Sequence, residues 1–97
     1  MGSIVGIATR VARGDVAKKT DGTTGAKSDT LGLSRPAIAF ILHTAGSIRF
    51  ADGDGNTVNF ASGELAVGVA HALEVRQVMS TGTSLANSEF SLLCTKI

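Results

Sequence analysis

The chain has 97 residues, of which 43% are hydrophobic and 18% charged, with a formal net charge of +1. That length admits one small domain, and four Phe, with no Trp and no Tyr, supply all its aromatic side chains. No apolar run approaches the ~20 residues of a membrane-spanning helix. The single cysteine, Cys94, excludes an intramolecular disulfide framework and a cysteine-built zinc site. The start Met-Gly-Ser-Ile-Val-Gly has neither the basic region nor the long apolar stretch of a secretory signal.

The charge is unevenly spread. Residues 1–35 hold six basic and three acidic side chains, a net +3, whereas residues 36–97 hold three basic and five acidic, a net −2. In residues 3–13, Ile4, Ile7, Ala8, Val11 and Ala12 recur at helical spacing. The β-branched content and Gly6 fit a strand equally well, so both readings stay open. Segment 14–35 is rich in Gly, Thr, Ser, Asp and Lys, has almost nothing to bury, and reads as a loop or extended arm. The boundary falls at Ser34-Arg35-Pro36. Residues 1–35 are therefore expected to form an N-terminal arm, a docking or inter-subunit segment, and residues 36–97 a β-domain.

Ala37 to His43 is a continuous apolar run, as in a strand covered on both faces. Ile48 and Phe50 alternate with Arg49, and Val58 and Phe60 alternate across the next strand. The Gly53-Asp54-Gly55-Asn56 turn between them completes a hairpin. Leu65 and Val67 suggest another strand, with a bend at Gly68. From Ala70 to Met79 the pattern turns Leu73 and Val75 inward and Glu74 and Arg76 outward. Val78 is out of phase with Val75, so a bulge near Arg76-Gln77 is expected. Glu89 to Ile97 reads as the last strand, with Phe90, Leu92 and Cys94 on one face. Five or six strands at this spacing predict an all-β fold, a small antiparallel β-sandwich or barrel, with an extended N-terminal arm.

No constellation of catalytic chemistry emerges. Asp52, Asp54 and Asn56 alternate as calcium ligands do, but the sixth and twelfth loop positions are Thr57 and Gly63, which fails the EF-hand pattern. A hairpin turn held by its own Asp and Asn side chains explains the same residues. His43 and His71 are too few for a familiar zinc site and read as strand-edge or interface residues. Cys94 reads as a buried structural thiol. Neither a Gly-x-Ser-x-Gly elbow nor a phosphate-cradling glycine loop is found. The basic residues Arg10, Arg13, Lys18 and Lys19 lack interleaved aromatics, so nucleic acid is not an expected partner. The expectation is a protein that is not an enzyme, with no catalytic, cofactor-binding or metal residues and no cofactor.

A β portion of 62 residues, 36–97, is marginal as a free monomer without a disulfide or metal. Oligomerisation is the remaining common staple, so a cyclic homo-oligomer is expected. Three stretches carry a resemblance to a known family: Thr44 to Phe50, Asp52 to Phe60, and Leu73 to Thr83. Together they resemble the small spike-base proteins of gene transfer agents and related tailed phages. The chain departs from that family at Ala61-Ser62-Gly63-Glu64 and in the N-terminal arm. The resemblance implies a virion structural protein on the capsid surface, assembled in the host cytoplasm. Its implied role is an oligomeric spike base or vertex protein anchoring a fibre. Its partners would be itself, as a pentamer or trimer, the major capsid protein, and a spike or fibre protein, with no membrane involved. A trimeric capsid decoration protein is a close variant, and a surface ligand-binding β module is a further alternative.

Overall fold

The computed structural model describes residues 10–94. It is all-β, with seven short antiparallel strands in two sheets. The strands are β1 (Arg10–Arg13), β2 (Ala37–Leu42), β3 (Ile48–Ala51), β4 (Thr57–Phe60), β5 (Ala70–His71), β6 (Gln77–Val78) and β7 (Phe90–Cys94). A single 3-10 turn, Asn87–Glu89, leads into β7. One sheet has the order β1-β7-β2-β5 and the other β4-β3-β6. The count exceeds the expected five or six because β1 lies in the N-terminal segment and the stretch from Ala70 to Met79 is divided into β5 and β6.

The sheets face each other across three phenylalanines. Phe40 of β2 meets Phe50 of β3 edge-on at 5.4 Å between ring centroids, and Phe50 stacks on Phe60 of β4 at 6.2 Å. Offset and edge-on pairs add about 0.5–1.5 kcal/mol beyond area burial. Phe40 and Phe50 are fully buried with Phe90, Leu92, Ile48, Val75, Val78, Leu42 and Leu85, and the half-buried Phe60 packs against them. Alternation explains β7, where Phe90, Leu92 and Cys94 point into this core as expected. β2 lies between β7 and β5, and its Ala37, Ala39, Phe40 and Leu42 are buried while Ile38 and Ile41 are half-buried, so its outer face is only partly covered.

The expected hairpin forms, with Ile48 opposite Phe60 and Phe50 opposite Val58. The expected bulge at Arg76-Gln77 is instead a change of sheet. Val75 exchanges both backbone hydrogen bonds with Ala37 at 2.9 Å, at the margin of the first sheet. Two residues on, Gln77 and Val78 pair with Ala51 and Phe50 in the second. Two inward residues three apart are what such a crossing requires, since each faces the core from its own sheet. No strand forms at Leu65–Val67. Gly68 bends there with φ +79°, and its N–H donates to the Leu42 carbonyl at 2.8 Å. Leu73, expected inward, is exposed.

Residues 10–13 form a strand, which settles that part of the helix-or-strand choice; residues 1–9 lie outside the described residues. Segment 14–35 is extended, but it lies along its own β-domain. Ala17, Ala26 and Leu33 are members of the common core. The Gly14 N–H donates to the Phe90 carbonyl, Ala26 to Gly14, Ser28 to Val78 and Leu33 to Arg76, at 2.7–2.8 Å. Asp29 accepts from both the N–H and the hydroxyl of Thr81, at 2.9 and 2.8 Å. The composition misses this because backbone groups, not bulky side chains, make most of the attachment. Small residues are what let that backbone approach: Ala26 is fully buried. Ser34 to Pro36 is therefore no packing boundary.

Deleting residues 1–30 is expected to abolish the cooperative unfolding transition, because it removes β1 and three core alanines, Ala12, Ala17 and Ala26. A truncated chain retaining the full-length urea midpoint would contradict this packing.

Candidate functional site

The turn that carries Asp52, Asp54 and Asn56 is built from its own hydrogen bonds. The Asp52 carboxylate accepts from the N–H groups of Asp54 and Asn56, at 3.0 and 2.9 Å through one oxygen. The Gly55 N–H donates to the Asp52 carbonyl at 3.0 Å, and Gly55 takes φ +83°, a conformation that favours glycine. The alternation of oxygen-bearing side chains thus has a conformational explanation. Among the described residues, no three His, Cys, Asp or Glu side chains converge as metal ligands.

The two histidines have separate roles. His71 ends β5, donates from Nε2 to the Ala66 carbonyl at 2.9 Å, and tilts its ring against Phe40. His43 follows β2, and its Nε2 lies 2.7 Å from the Ser91 hydroxyl. This Ser–His pair is hidden in the sequence, 48 residues apart, and is created by the β2–β7 register that sets Leu42 opposite Phe90. Ser91 is buried, and no carboxylate of the described residues hydrogen-bonds to the His43 ring. The pair lacks the third group that orients a catalytic base. Its evident effect is to satisfy a buried hydroxyl.

A cleft of about 90 Å³ opens at one end of the sandwich, with Ala12, Ala17, Leu33 and Cys94 among its walls and Arg10, Lys18 and Arg35 around it. None of these three cations forms an ion pair with a described residue; the ion pairs join Arg13 to Asp15 and Arg76 to Glu74. Burial pushes the Cys94 thiol above its ordinary pKa, and the charges of Arg35 and Arg10 oppose that shift more weakly. Asp29 is held below the ordinary carboxylate range by its Thr81 N–H and hydroxyl.

The large exposed apolar side chains fall into two groups. Val11 of β1 and Val16 in the following turn form one, and Val67, Val69 and Leu73, which flank β5, form the other. Val11 is 65% exposed and Val69 51%. Sequence reading missed both groups. It placed Val67 on a strand and turned Leu73 inward, because a valine or leucine beside glycine and alanine carries no mark of which sheet edge it occupies.

No protein-family model, curated protein or solved structure matches the chain.

The raised pKa and burial of Cys94 make its native thiol a poor nucleophile. Alkylation by iodoacetamide at neutral pH is expected to be at least about tenfold slower in the native protein than in urea. Equal rates in both would contradict the burial of the thiol.

Proposed function

We propose that this protein is a non-enzymatic virion structural component, a homo-oligomeric base or vertex protein on a capsid that anchors a spike or fibre. The observation that carries this reading is where the resemblance falls. Thr44 to Phe50 leads through β3, Asp52 to Phe60 makes the turn and β4, and Leu73 to Thr83 contains β6. The three resembling stretches therefore make up one contiguous object, the β4-β3-β6 sheet with its turns. The exposed valines on two edges of a domain this small favour the same reading, because such surfaces suit burial against other subunits. In this role the protein would reside on the capsid surface and contact the major capsid protein.

The test is co-sedimentation of the full-length protein with capsids built from the cognate major capsid protein. Saturable binding confined to the vertices is expected. Saturation across the capsid facets would replace the vertex role with that of a decoration protein. Absence of binding at saturating concentration would overturn the virion reading.

A further inference from the structure

The two lateral edges of the sandwich carry complementary chemistry. β1 is one edge of the four-stranded sheet and β5 the other. Lys27 bridges the free side of β6. Its neighbour Ala26 hydrogen-bonds back to Gly14, just beyond β1. Cys94 of β7 takes one side of Ala37 and Val75 the other, so Val75 lies on the β5 side and β6, two residues on, starts from there; the Glu74 carboxyl beside Gly53 keeps the β3–β4 turn on that same side. The first edge bears Val11 and Val16, and the second bears Val67, Val69 and Leu73.

The charges follow the same division. Arg10 pairs with Cys94, Cys94 with Ala37, and Ala37 with Val75, while the Arg76 N–H donates to the Ala51 carbonyl. This chain of contacts sets the cleft and the β3–β4 turn at the same end of the sandwich. At that end the β1 edge carries Arg10, Lys18 and Arg35 around the cleft. On the opposite edge, the β3–β4 turn carries Asp52 and Asp54. The Glu74 carboxyl lies against it, since a Cβ built on Gly53 would fall 2.8 Å from the Glu74 Cδ.

We propose that the β1 edge of one copy docks on the β5 edge of a second copy, with the acidic hairpin turn of the second against the basic cleft of the first. The occupant of each edge is another copy of this chain. The exposed valines of the two edges would form the apolar centre of the contact, and the charges would fix its register. Exposed ion pairs contribute little each, about 0–1 kcal/mol, so they select the partner edge more than they hold it. A contact between two different edges is heterologous, and it closes into a ring when the rotation permits. The inference rests on the homo-oligomeric part of the proposed function and names the surface responsible.

Asp54 and Lys18 are suited to a charge-swap test, because neither side chain hydrogen-bonds within the described residues. Sedimentation of the full-length protein should give a closed oligomer. D54K and K18E alone should each weaken association by about tenfold or more. The double variant D54K/K18E should recover it, since every contact is then fully swapped whatever number of copies closes the ring. Recovery also rules out misfolding as the cause of either loss. An oligomer unaffected by both single variants, or a double variant that stays dissociated, would overturn the proposed surface and leave oligomerisation standing. A monomer at all concentrations would overturn the inference, while binding of that monomer to capsids would preserve the virion role.

Discussion

Residues Val75 to Met79 make backbone hydrogen bonds to three separated parts of the chain, and the fold depends on that sharing. Val75 bonds Ala37 in both directions, Arg76 bonds Ala51 and Leu33, Val78 bonds Ser28, and Met79 bonds Arg49, at 2.7–2.9 Å. One short segment thus joins the four-stranded sheet, the three-stranded sheet and the N-terminal extension. Each of these groups, if buried and left unpaired, would cost about 1–3 kcal/mol. Val75 and Val78 are both fully buried at this junction, so the backbone attachment and the core close over the same residues.

This arrangement explains how so few bulky side chains suffice. The core has three fully buried phenylalanines and a thin complement of aliphatics, which is small for one domain. The extension adds Ala17, Ala26 and Leu33 to it and covers the free side of β6 through the Lys27 bridge. Covering an unpaired strand edge also removes a site of nonspecific pairing. Of the edges left open, β1 and the surroundings of β5 carry the exposed valines.

The parts of the fold readable from sequence are those with a strict period. Alternation in Ile48 to Phe60 marked the hairpin and the inward side of its strands, and a one-residue slip would send Phe50 and Phe60 outward. The turn was readable for the same local reason: Asp52 bonds its own backbone. What escaped was set by long-range backbone contacts. Nothing in Gly25-Ala26-Lys27-Ser28 distinguishes a solvated loop from a segment seated on β6. The spacing of Val75 and Val78 signalled an irregularity but not its kind, since a bulge and a sheet crossing both displace one inward residue. The Ser91–His43 pair and the basic cleft likewise exist only once β7 is placed between β1 and β2. Composition did foresee the charge division, and the fold turns it into two oppositely charged edges at one end.

The most direct test of the shared junction is native-state hydrogen exchange resolved by residue. If residues 75–79 lock the sheets and the extension into one cooperative unit, the Ser28, Leu33, Val75 and Met79 amides will exchange only through global unfolding. Their opening free energies will then match those of the β2 and β7 amides. Fast exchange at Ser28 and Leu33, with β2 and β7 still protected, would show that the extension opens independently and would contradict the account.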